Sequence, residues 1–125
     1  MTPLTRRVFT SLHNATDSLH NERLATIAAA EESKTRYIDL NAASLAYVDA
    51  IGNASAQAYD LNGNDTTHLN DYGSVVFGRM VADLLLGHPP VIGGDAGWKP
   101  EPSCFSKWIK PNETLSNAIW HGLPA

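Results

Sequence analysis

Asp65 and His68 stand three residues apart in Asn64-Asp65-Thr66-Thr67-His68-Leu69-Asn70-Asp71-Tyr72-Gly73, directly ahead of an apolar run. On a tight turn, a carboxylate at that spacing can accept a hydrogen bond from one imidazole nitrogen. The acceptor fixes the ring's tautomer, and the second nitrogen is left to take a proton from a hydroxyl. Read catalytically, the pair would make the base-and-orienter half of a Ser-His-Asp triad, with Asp65 the orienter of His68. A helix opening at Asp71 would hold the imidazole in place.

The bare spacing is not selective, because Asp17-Ser18-Leu19-His20 repeats it. There Asp17 reads as a helix cap and His20 as a first-turn surface residue. Calcium is a rival for the later stretch. Asp60, Asn62, Asn64, Thr66, His68 and Asp71 fall at the ligand positions of a calcium loop, but Asp65 occupies the place of the required glycine and Asp71 that of the glutamate. Zinc has less support, since no second histidine or cysteine accompanies His68 at ligand spacing. Neither a metal nor another cofactor is expected.

The elements that must position the pair follow from periodicity. Asp17 or Ser18 opens an alanine-rich helix to about Ser33, with Leu24, Ile27 and Ala28 near helical spacing. Residues Thr35 to Asn41 read as a short strand, and Leu4 to Phe9 could supply another. Ala42 to Ile51 is helical and closed by Gly52; residues 53 to 70 are polar loop. Asp71 to Leu86 has the clearest helical stripe, from Tyr72, Val76, Met80 and Leu84, widened by Phe77, Val81 and Leu85. Gly87 stops it and Pro89-Pro90 forbids continuation. Residues 89–125 read as a tail wrapping the unit 1–88, with Trp98, Trp108 and Trp120 as anchors. Helix, strand, helix, loop and helix is part of an α/β pattern, with too little sheet for a self-contained parallel domain.

Asp-Thr-Thr-His-Leu-Asn-x-x-Gly leading into an amphipathic helix resembles the last block of the SGNH (GDSL-type) ester hydrolases, in particular their rhamnogalacturonan acetylesterase-like branch. The preceding order agrees: Thr2-Pro3-Leu4-Thr5-Arg6-Arg7, a helix ending Ala28-Ala29-Ala30-Glu31-Glu32, then Tyr37-Ile38-Asp39-Leu40-Asn41, a helix and a polar loop. The resemblance spans Thr2 to Gly87. It implies the C-terminal portion of a three-layer α/β/α, flavodoxin-like fold with an incomplete parallel sheet, and secreted hydrolysis of esters on carbohydrate. It also implies His68 and Asp65 as catalytic residues and an acetylated polysaccharide, or another ester, as substrate.

The family draws its serine from a Gly-Asp-Ser block and its oxyanion donors from a glycine and a Gly-x-Asn-Asp block. None is present; Asn62-Gly63-Asn64-Asp65 carries its glycine one place late. No Gly-x-Ser-x-Gly elbow occurs either. The expectation is a truncated or incompletely delimited esterase, with Met1 near the end of the family's fourth strand, that does not hydrolyse acetyl esters alone. The alternatives are a non-catalytic remnant or interaction module of esterase descent and, behind it, a calcium-loop protein.

The totals set outer bounds. At 125 residues there is room for one domain, and a net charge of −4 gives no electrostatic cause to bind nucleic acid or an anionic membrane. No apolar run is long enough to span a bilayer, and Met1 to Thr10 lacks a signal peptide's apolar core. Four sequons, at Asn14, Asn53, Asn64 and Asn112, point instead to the secretory pathway. Cys104 is the only cysteine, so no internal disulfide can form. Asn70 and Asp71 compete to cap the last helix, and Gly73 permits close packing in its first turn. Arg6 and Arg7, although able to meet an acidic polysaccharide, read as solvated surface groups, as do His13, His88 and His121.

Overall fold

The computed structural model describes residues 1–93 and 104–125. Its fold is mixed α/β: a small antiparallel hairpin, β1 (Phe9–Ser11) with β2 (Asn14–Ala15), followed by α1 (His20–Glu32), α2 (Leu40–Gln57), α3 (Asp71–Leu85) and, after a short 3-10 turn at Phe105–Lys107, α4 (Glu113–Trp120).

The core lies where α2, α3 and α4 meet. Ala43, Tyr47, Val48 and Ile51 of α2 pack with Val76, Phe77, Met80 and Leu84 of α3, and Ile119 and Trp120 of α4 close the cluster. Tyr47, Tyr59 and Phe77 meet largely edge-on or stacked, with ring centres 5.7 to 6.4 Å apart. The α3 stripe is thus the buried face expected from its spacing at Val76, Phe77, Met80 and Leu84, while Val81 and Leu85 are half-buried and Tyr72 stands about half exposed. Gly87, at φ 92°, marks its end.

Other expectations are corrected. Residues 35–39 form no strand. One backbone bond, Thr2 N–H to the Ile38 carbonyl at 3.1 Å, ties them to the first segment, and Leu40 and Asn41 already belong to α2. A single bond makes no ladder, and the Asp39 side chain turns back to accept from Ala42 N–H, which starts the helix instead. Leu4 to Val8 likewise has no regular structure, and no parallel sheet is present among the described residues. Gly52 does break α2, at φ 79°, but the helix resumes to Gln57. At the break Asn53 N–H donates to the Leu12 carbonyl, and a Cβ on Gly52 would meet the His13 ring at 2.7 Å.

Helix α1 has no buried residue, and Leu24 is 48% exposed. Neither Asp17 nor Ser18 caps it; Leu19 precedes it with no side-chain cap. What holds α1 is Arg23, whose guanidinium grips both oxygens of Asp39 at 2.5 to 3.0 Å. Burial works to raise the Asp39 carboxyl, but the bonds from Arg23, Ala42 N–H and Thr2 bring it below the usual carboxylate range.

The tail returns to the body through α4. Trp120 is buried, donates Nε1–H to Asp83 at 2.8 Å and stacks on His88 at 3.8 Å between ring centres. Trp120 is therefore an anchor, whereas Trp108 is 83% exposed and is not; Trp98 lies outside the described residues. His88, expected at the surface, is buried, because the stack and its Nδ1–H bond to the Pro89 carbonyl give the ring both an apolar face and an acceptor.

Candidate functional site

The site is built on the return loop from α2 to α3. Asp60 and Leu69 form an isolated antiparallel bridge, with Leu61 N–H on the His68 carbonyl at 3.0 Å and Asn70 N–H on the Tyr59 carbonyl at 3.0 Å. Asn70, rather than Asp71, caps α3, its Oδ1 accepting from Gly73 N–H at 2.7 Å while its Nδ2 donates to the Ala58 carbonyl. Gly73 has no room for a Cβ, which would lie 2.7 Å from the Tyr59 carbonyl oxygen. The cap and this close approach fix where the loop delivers its side chains.

Within the loop, Asp65 and His68 face each other, Oδ2 to Nδ1, at 2.8 Å. The other carboxylate oxygen accepts from the backbone N–H groups of Thr67 at 3.0 Å and His68 at 2.9 Å. The His68 N–H, then the His68 ring and the Thr67 N–H, pull the Asp65 carboxyl down to about 2. Asp65 is thus a fixed anion aimed at Nδ1. The His68 side chain is 72% exposed, and its Nδ1 is the nitrogen taken up by Asp65.

The companion pair makes the same contact, His20 Nδ1 to Asp17 Oδ2 at 2.9 Å. The spacing alone therefore yields the hydrogen bond. Asp17 differs in taking no backbone N–H; its buried Oδ1 has no partner among the described residues. Only Asp65 is locked into its turn by three donors.

The pairing of Arg7 with Asp60 was not foreseen from the sequence, where Arg7 read as a surface group and Asp60 as a calcium-loop position. Arg7 is 1% exposed, not a solvated arginine: its Nε pairs with Asp60, an NH2 group donates to the His68 carbonyl at 2.8 Å, and its backbone N–H donates to the Thr66 carbonyl at 2.9 Å. Arg6 is exposed, as expected. A signal was present in the alternation, since Thr5 and Arg7 are buried while Arg6 and Val8 are exposed. It is hard to read because the inward positions are the polar ones.

Burial pushes the Asp60 carboxyl up, with Arg7 opposing it. That pairing occupies the residue a calcium loop would use as its first ligand, and no acidic, histidine or cysteine group fit for a metal occurs among the described residues. His13 and His121 are exposed, their Nδ1 atoms bonded to the carbonyls of Asp49 and Asn117. Cys104 is free and exposed. Among the described residues, cavities of about 390 and 480 Å³ are lined by neither Asp65 nor His68; Asn41 and Asp49 line the first, Tyr37 and Leu84 the second. Compared with protein-family models, curated proteins and solved structures, the chain matches none.

Proposed function

We propose that the chain carries the acid–base half of a serine ester hydrolase of the SGNH type, acting on acetylated carbohydrate, with the nucleophile supplied from outside these residues. The observation that carries this reading is the Asp65–His68 contact at 2.8 Å, with the carboxylate held by two further backbone donors. In the reaction, a serine hydroxyl attacks the acetyl carbonyl while His68 Nε2 takes its proton. That proton passes to the departing sugar oxygen, leaving an acetyl-serine that water cleaves by the same exchange. Asp65 stays ionised throughout and stabilises the imidazolium.

The finer fold belongs to the same reading. Residues 1–88 would be the C-terminal portion of a three-layer α/β/α domain, in which segments 4–9 and 35–41, without a ladder between them in this chain, would pair only with strands supplied from outside these residues. The Thr2–Ile38 backbone bond and the burial of Thr2 and Thr5 support it. The sequons support a secreted protein, and Asn14, Asn64 and Asn112 are exposed. A second reading, a non-catalytic remnant or interaction module, draws support from the exposure of the His68 side chain, which lines neither of the two cavities.

The reading frame upstream of Met1 separates the two. The esterase reading expects an in-frame Gly-Asp-Ser block, and the joined polypeptide should release acetate with turnover falling ~10⁶-fold in His68→Ala. Stop codons upstream, or a joined polypeptide indifferent to His68→Ala, would reject it. The 125-residue chain by itself should show no His68-dependent hydrolysis of p-nitrophenyl acetate.

A further inference from the structure

We propose that Arg7 is the positioning residue of the Asp65–His68 turn, a buried clamp that sets the backbone from Thr66 to His68 so that carboxylate and imidazole meet. The inference rests on the functional reading above only for what the turn is used for. Its geometry stands apart.

Arg7 grips the turn at two points. Its backbone N–H holds the Thr66 carbonyl at 2.9 Å and its guanidinium holds the His68 carbonyl at 2.8 Å. Those carbonyls bracket Thr67, and the N–H groups of Thr67 and His68 are the two that Asp65 Oδ1 accepts. The His68 carbonyl is also taken by Leu61 N–H at 3.0 Å, so the strand-like edge of the loop and the guanidinium converge on one oxygen. Asp60 supplies the counter-charge, its side chain as buried as that of Arg7. A buried cation needs a paired anion, and the planar fork of arginine reaches Asp60 through Nε and the His68 carbonyl through Nη2 together, with Nη1 left without a partner among the described residues, where a lysine point charge reaches only one of the two. Thr5 N–H on Ser44 Oγ and Asn41 N–H on Thr2 Oγ1 fasten the same first segment to α2. The clamp is thereby referred to the core rather than to the loop it holds.

The test is the full chain with Arg7→Lys, followed by ¹³C NMR titration of the Asp65 carboxyl and by amide hydrogen exchange. In the parent the three donors hold the carboxyl down at about 2, and the titration should find it well below the ordinary aspartate range. With lysine in place, folded by the criterion of an unchanged amide spectrum away from residues 60–69, the midpoint should move toward the ordinary aspartate value of ~3.9. The Thr67 and His68 amides should exchange more than ~10-fold faster. A folded variant that melts lower but keeps Asp65 near its parent value, with exchange unchanged, would overturn the proposal and leave Arg7 a purely stabilising residue. If Arg7→Lys does not fold, the parent chain decides. Arg7 Nε–H should exchange slowly and its guanidinium rotate slowly, and a freely rotating guanidinium would overturn the clamp. None of these readouts requires ester chemistry, so failure of the acetate-release experiment and failure of the clamp are separately visible.

Discussion

Asp65 gains its character from three donors on neighbouring residues, which is why its contact with His68 could be foreseen from a spacing. A carboxyl depressed to about 2 in the folded chain stabilises its turn fully above the unfolded value of ~3.9, and that contribution disappears as pH falls through the folded value. Protection of the Thr67 and His68 amides should therefore be constant above about pH 5 and fall between about pH 4 and pH 2; loss beginning near neutrality would contradict the assignment. In the joined polypeptide, Asp65→Asn should lower turnover about 10⁴-fold with KM little changed, because the asparagine favours the wrong tautomer. The Arg7–Asp60 pair, separated by 53 positions, left no such local trace. A paired arginine and aspartate look in sequence like two solvated charges, and only the closing of the chain makes them partners. His88 was misread for the same reason, its stacking partner being a tryptophan far along the tail.

At the level of elements, α3 was legible nearly to the residue because its stripe, its cap and its terminal glycine all speak locally. Helix α4 was not, since its eight residues sit in a tail whose prolines and glycines dominate any periodicity. The strand expected at Thr35 to Asn41 has β-forming residues but only one cross-chain bond, and propensity without a neighbouring strand makes no sheet. The entrance to α3 offers a direct measurement. Asn70→Ala removes the cap and the bond to the Ala58 carbonyl and should cost ~1–2 kcal/mol in denaturant unfolding. Gly73→Ala should cost at least as much, because its methyl would meet backbone rather than a yielding side chain.

For the whole molecule, the helices that share the core are distinguished from α1, which rests on an ion pair and leaves Leu24 wet. Apolar surface of that kind favours association, so sedimentation velocity should show mass rising with concentration. Leu24→Lys should reduce that rise without lowering the melting midpoint; a concentration-independent monomer would contradict it. Trp120 contributes in the opposite sense. Replacing it with alanine empties a buried site and strands a hydrogen-bonding oxygen of Asp83, for ~3–5 kcal/mol. The same residue gives the molecule an optical gauge. With Trp98 and Trp108 changed to phenylalanine, the remaining indole lies in a dry pocket against an imidazole, where emission is blue and subject to quenching by the neighbouring ring. Detachment of the C-terminal helix would register as a red shift, so docking of the tail can be followed separately from melting of the rest.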